Sequence, residues 1–203
     1  MTLTRLLAAV VTDDVGAARL LLTADPALAA AALDAGMTRA TPSLGWFPSI
    51  THGTYAGDTA LHLAAAAHAT ELVGLLLDAG ANVAATNRRG ATALHYAVDG
   101  GPTLDTWDPH AQTDVVTQLL AAGADPAALD RNGVAPLHRA IRNRCTPAVA
   151  ALLAAGADPS LPNRAGSTPL DLARGTTGRG GTGTQAAKLE QQAIIELLNA
   201  ALR

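Results

Sequence analysis

The sequence predicts an all-α fold, a solenoid of stacked helix-turn-helix units, and three observations predict it. The tetrapeptides Thr59-Ala-Leu-His62, Thr92-Ala-Leu-His95, Ala135-Pro-Leu-His138 and Thr168-Pro-Leu-Asp171 start 33, 43 and 33 residues apart. A second marker, Gly80-Ala-Asn82, Gly123-Ala-Asp125 and Gly156-Ala-Asp158, keeps steps of 43 and 33, each time after a Leu-Leu pair. Hydrophobic residues make up 49% of the chain but aromatics only 2%, so the core must be built from Ala, Leu and Val, which suits closely packed helices. A unit this short cannot bury its apolar face alone, and neighbouring units must stack to make a continuous core.

Between the markers, a Thr or Pro opens a short helix, a polar break follows, and a second apolar helix ends at a Gly able to take the left-handed conformation. These residues closely resemble the ankyrin family, whose motif has Thr-Pro-Leu-His opening the inner helix and Leu-Leu-x-x-Gly-Ala-Asp closing the outer one. The resemblance implies an ankyrin-repeat solenoid of paired antiparallel helices, with stretches 82–91, 125–134 and 158–167 projecting as hairpin-like fingers. It also implies a structural place for the motif histidine, and a protein partner held by the fingers and inner helices.

In chain order, residues 1–203 are expected to form one domain. Residues 1–35 are a degenerate N-terminal cap: Ala9-Val10 and Leu21-Leu22 fall at the family's spacing, while Asp25-Pro26 replaces the closing Gly-Ala. Residues 36–56 break the period as an insertion, with Trp46 and Phe47 among Pro42, Gly45, Pro48 and Gly53. Repeats follow at 57–89, 90–132 and 133–165. The second carries an insertion at 100–112, with Asp105, Trp107, Asp108 and His110, between its inner and outer helices. Residues 166–203 form the C-terminal cap, with a Gly-rich insertion at 175–184. Its amphipathic helix from Lys188 to Leu202 puts Leu189, Ala193, Ile194, Leu197 and Leu198 on one stripe.

Composition excludes several function classes. Fourteen basic and 17 acidic side chains give a net charge of −3, without the basic footprint that phosphate backbones demand, so no nucleic acid is expected. The only cysteine is Cys145, which leaves no intramolecular disulfide and no thiolate cluster and fits a reducing cytoplasm. The run Leu6–Val11 is followed by Asp13 and Asp14 without a small-residue cleavage site, and 18 uninterrupted apolar residues occur nowhere. The chain is expected to be a cytoplasmic monomer with no signal peptide, no membrane contact and no cofactor. Thirteen arginines against one lysine suit a GC-rich bacterial genome.

The candidate binding residues are those that break or decorate the repeat. Arg88, Arg131 and Arg164 stand two residues before Gly90, Gly133 and Gly166, and Tyr55 stands two before Gly57. Stacking would align them into a stripe, joined by Arg89 and Arg142, suited to a protein or peptide with acidic character. If that face is merely solvated, Arg142 would pair with Asp99, its equivalent one repeat earlier. Trp46 and Trp107 bring the insertions to the walls of the groove, or else cover an exposed end of the stack.

A runner-up reading is a small-molecule or acid–base site drawn from His52, Tyr55, Asp58 and Asp99, enclosed by the two Trp-bearing loops. A third is self-association through the loops. His62, His95 and His138 are a poor metal set. Packed helices lie about 8–10 Å apart, whereas two nitrogens on one zinc can be at most about 4 Å apart. Cys145 follows His138 by seven residues beside Arg144, a neighbour able to lower a thiol pKa, but a single cysteine in such a turn is usually inert. Thr177-Gly-Arg-Gly-Gly-Thr-Gly-Thr184 lacks the Lys-Ser/Thr ending of a nucleotide-binding loop. No catalysis is expected.

Overall fold

Ten helices alternate between an inner and an outer row in the structure, a computed structural model that describes residues 2–36, 46–47, 52–100, 107–175 and 185–203. The inner row is α1 (Thr2–Val11), α3 (Ala60–Ala66), α5 (Ala93–Ala97), α7 (Pro136–Asn143) and α9 (Pro169–Arg174). The outer row is α2 (Val15–Ala24), α4 (Thr70–Asp78), α6 (Pro109–Ala121), α8 (Thr146–Ala154) and α10 (Gln185–Ala201). Each inner helix packs on its own outer partner and on the next inner helix, and the outer helices pack in the same order. The fold is the expected all-α solenoid.

The repeated tetrapeptide both starts the inner helix and ties it to the next repeat. Thr59 and Thr92 are N-caps in extended conformation, and three residues on the imidazole takes the part that Glu or Gln plays in a capping box. Nδ1 of His62 accepts the Thr59 backbone N–H at 3.2 Å, and Nδ1 of His95 accepts that of Thr92 at 3.1 Å. The other ring nitrogen then carries the proton and donates forward: His62 to the Ala91 carbonyl at 3.1 Å, His95 to Val134 at 2.9 Å and His138 to Leu161 at 3.0 Å. Burial holds all three imidazoles below their ordinary pKa of 6.5, His95 at about 4, so they are neutral. Asp171 takes this place in the last repeat, its carboxylate accepting from the Thr168 backbone and hydroxyl.

Leu61, Leu94 and Leu137 of the same tetrapeptide are no more than 1% exposed, as are Leu76, Leu119 and Leu152 of the outer helices. Burying each stabilises the stack by about 1.5–3 kcal/mol. Most of the remaining core is alanine and valine, whose small volumes let the helices approach.

Each finger closes on itself and then on its neighbour. Asn87 N–H to Ala91, Asp130 N–H to Val134 and Asn163 N–H to Ser167 make the hairpin-like closures. The N–H groups of Arg88, Arg131 and Arg164 donate to the carbonyls of Ala56, Arg89 and Asn132 on the preceding finger, at 2.7, 2.9 and 3.1 Å. This ladder explains two glycines: a Cβ on Gly57 would stand 2.8 Å from Asn87 Cα, and one on Gly133 2.9 Å from the Arg164 nitrogen. Both also have positive φ, so a side chain would be strained as well as obstructed.

The insertion at 36–56 enters and leaves through one crossing. Gly57 N–H donates to Leu33 O at 2.7 Å and Leu33 N–H to Asp58 O at 2.8 Å, and a Cβ on Gly36 would meet Thr54 O at 2.5 Å. Beyond it β1 (Trp46–Phe47) pairs antiparallel with β2 (His52–Gly53). Two expectations need correction. Helix α6 starts at Pro109, capped by the Asp108 carboxylate, so helix begins inside the stretch 100–112. Leu189 of α10 is 61% exposed, and Ala187 is buried with Ile194 and Leu198, because those three recur on one helical face and Leu189, two residues after Ala187, falls on the opposite one.

Candidate functional site

A groove of about 590 Å³ lies between the fingers and the inner helices α5 and α7. Tyr96 and Arg139, which line it, share one repeat position, the residue after the motif histidine, held by Leu63 in the repeat before and, after Asp171, by Leu172 in the repeat that follows. In the two middle repeats that residue meets the Asn or Asp that begins the finger. Oδ1 of Asn87 accepts the N–H groups of Arg89 and Ala91, and Oδ1 of Asp130 accepts those of Asn132 and Val134. The turn uses one side-chain oxygen and leaves the other end free to face the helix.

At the first junction the result is a sealed polar cluster. Asn87 Nδ2 donates to Tyr96 Oη and to Asp58 Oδ1, both at 2.8 Å. Tyr96 Oη donates to Asp58 Oδ2 at 3.1 Å, and the Tyr55 N–H to the same oxygen at 2.6 Å. Asp58 is fully buried, and burial together with this carboxylate drives the Tyr96 hydroxyl above its ordinary pKa of 10.0, keeping it a donor.

At the second junction the groove stays open. The Arg139 guanidinium stands 3.3 Å from Asp130 Oδ2 and 3.4 Å from Asp99 Oδ2, and Asn143 Nδ2 donates to Val98 O at 2.8 Å. Burial alone would raise the Asp130 carboxyl, but the N–H groups of Val134 and Asn132 and the Arg139 charge hold it below its ordinary pKa. His52 closes one side: its ring meets Tyr96 edge-on at 4.2 Å, and its Nδ1 lies 4.0 Å from Asp99 Oδ2. Desolvation lowers the His52 pKa despite Asp99 and Asp58, so the ring is neutral, and its buried Nε2 has no hydrogen-bond partner among the described residues.

The rim is cationic. Both Arg88 and Arg89 lie against the Tyr55 ring, 5.2 and 5.0 Å from its centre, and Arg89 Nη1 donates to the Tyr55 hydroxyl at 2.8 Å. Arg142 is exposed on the groove wall.

The structure therefore brings together His52, Tyr55, Arg89, Asp99 and Arg142 around one groove, with Arg88 on its rim. Arg131 and Arg164 are exposed on the next two fingers, outside it. Asp58 is adjacent, but its buried oxygens are taken by three donors. The side chain of Trp46 lies outside the described residues, as do Asp105 and the loop 177–184.

Two readings of the sequence, on Asp99 and on Trp107, are corrected, and Cys145 follows the inert alternative. Asp99 pairs with Arg139 and not with Arg142, because Arg139 is the residue aimed from α7 at the finger. Trp107 does not wall the groove: it packs on the core and donates to Gln112 Oε1 at 2.7 Å. Arg144 does not activate Cys145, whose thiol is buried, donates to the same Gln112 oxygen at 2.6 Å and is pushed up to about 12 by desolvation. Gln112 Nε2 donates in turn to Ala97 O and Asp99 O at 3.0 and 3.1 Å, so Trp107 supports the floor from below.

Sequence reasoning missed Asn87, Tyr96, Asp130, Arg139, Asn143 and Gln112. The first four carried a signal: Asn87, Asp130 and Asn163 keep the 43- and 33-residue steps, as do Tyr96, Arg139 and Leu172. Among the described residues no group of three or more His, Cys, Asp or Glu could hold a metal ion, and no helix is long and apolar enough to cross a membrane.

The pattern of these elements agrees with comparison to known families. A model of ankyrin repeats in three copies matches residues 28–105, a single ankyrin repeat matches 89–131, and a model of ankyrin repeats in many copies matches 119–173. A comparison with curated proteins finds no match.

Proposed function

This chain belongs to the ankyrin-repeat family, whose members are generally protein–protein interaction modules, and we propose that its groove between fingers and inner helices holds an extended segment of a protein partner. One observation carries the reading. The repeat position that seals the first junction with Tyr96 opens the second with Arg139, leaving a polar groove whose walls are fixed by hydrogen bonds. A preformed site loses little conformational entropy on binding, and its polar side chains set orientation.

No chemistry is assigned to the groove. The thiol and the Asp58 carboxylate are engaged in buried hydrogen bonds, and His52 and Asp99 stand too far apart for one. The same reading has the chain act as a monomer in the cytoplasm. In support, the large exposed apolar side chains among the described residues are few: Leu20 on α2, Leu129 on the finger between α6 and α7, Leu189 on α10 and Leu202 just after it.

Pull-down of native partners tests the proposal. An Asn132→Trp variant, which fills the groove from an exposed finger position, is expected to lose the partner while melting at the wild-type temperature. A triple change of Arg88, Arg131 and Arg164 to Glu is expected to weaken capture less. Full retention by Asn132→Trp would remove the groove from the account.

A further inference from the structure

We infer that the groove takes a carboxylate of its partner between Arg89 and Arg142, so that the docked segment is acidic; this rests on the groove reading above and adds the partner's chemistry. The charges on the walls decide it. Arg139 is spent, shared between Asp99 and Asp130. Arg142 has no hydrogen bond or ion pair among the described residues, and Arg89 bonds only a neutral hydroxyl through its side chain. Among the described residues, neither guanidinium has a carboxylate at ion-pair distance, and the groove's Asp99 and Asp130 are both engaged by Arg139.

Arg89 is also held in place. Its side chain rests on the Tyr55 ring and is fixed by the Tyr55 hydroxyl, so less rotamer freedom is lost when it grips an anion than for a free side chain. Arg88 lies against the same ring, 5.2 Å from its centre.

The wider surface has the same sense. Arg88, Arg131 and Arg164 are exposed on three adjoining fingers, whereas Glu71, Asp78 and Asp114 are exposed on the outer helices α4 and α6. The three fingertip arginines draw an acidic segment towards the groove, although Asp125 and Asp158 are exposed at the finger bases and Glu71 on the back is paired with Arg19. A carboxylate fits better than a phosphate dianion, because the Asp99 side chain is still 31% exposed on the same wall and His52 contributes no positive charge.

The test is selection from a phage-displayed library of random peptides on the whole chain, followed by fluorescence anisotropy with the resynthesised winners. The expected result is an Asp or Glu at a fixed position whose change to Asn or Gln weakens binding by roughly tenfold or more. Arg89→Gln and Arg142→Gln should each produce a similar loss without moving the melting temperature, since both side chains are exposed. Peptides made with a free or an amidated C-terminus identify the source of the carboxylate: loss on amidation assigns it to the chain end, and no change to a side chain. Winners blocked by Asn132→Trp but lacking any carboxylate dependence would overturn the inference and leave the groove reading standing. A phosphoserine in place of the acid that binds roughly tenfold tighter would overturn the choice of a carboxylate. Failure to select any peptide sensitive to Asn132→Trp would overturn both.

Discussion

At the first finger junction Asn87 meets Tyr96 and the buried Asp58, and every donor finds an acceptor away from water. At the next junction the same two repeat positions hold Asp130 and Arg139, and the guanidinium reaches past its own finger to Asp99 on the open groove. The backbone is the same in both, down to the two tip N–H groups held by the Asn or Asp oxygen. Two substitutions at periodic positions thus turn a scaffold contact into a binding wall. A solenoid acquires a site by changing side chains within its repeat as well as by adding loops.

The sharpest way to break this contrast is to remove the acceptor of the sealed junction. Asp58→Ala leaves the Tyr96 hydroxyl and the Tyr55 N–H without an acceptor in a dry site and takes one of the two acceptors of the Asn87 amide, and urea denaturation should show a loss of about 3–5 kcal/mol. A loss under about 1 kcal/mol would mean that water reaches the junction.

Acidification comes next. His62, His95 and His138 are neutral clamps with depressed pKa values in the folded chain, so below the ordinary 6.5 the unfolded chain binds more protons. Stability should be complete above that pH and fall as the pH drops towards about 4, with His95 alone contributing on the order of 3 kcal/mol. Thermal melts from pH 7 to 4.5 check this, and a flat profile would contradict the clamp geometry.

Arg139→Met should cost less than Asp58→Ala, about 1–2 kcal/mol in the same urea titration. Asp130 keeps its two turn hydrogen bonds and Asp99 keeps Asn143 nearby. Equal losses for the two variants would erase the difference between the junctions. Smallest of all, Arg142→Gln should change stability by no more than about 0.5 kcal/mol while weakening the partner.

How far these junctions could be read from the sequence follows from periodicity. The row of helix pairs was legible because four tetrapeptides and three Gly-Ala-Asn/Asp markers repeat in register, and the fingers and a structural place for the histidine followed from the family resemblance that those repeats carry. His52, Tyr55, Asp58 and Asp99 stood out as polar residues where a plain scaffold needs none, and Arg89 and Arg142 as additions to a basic stripe. Arg139 did not, because an arginine on a short helix looks solvated until the finger that it faces is known. Gln112 was hidden for a different reason: its three partners, Trp107, Cys145 and the Ala97–Asp99 backbone, belong to an insertion and two repeats, and their convergence is purely tertiary. Trp107 was misassigned for the same reason, since an aromatic in a long loop reads equally well as a lid or as an anchor.

Hydrogen–deuterium exchange of the chain with and without its captured partner tests the central claim most directly. The account predicts new protection in the finger residues 88–91 and 131–134 and in α7, with none on the outer faces of α4, α6 and α8. Protection confined to those outer helices would contradict it.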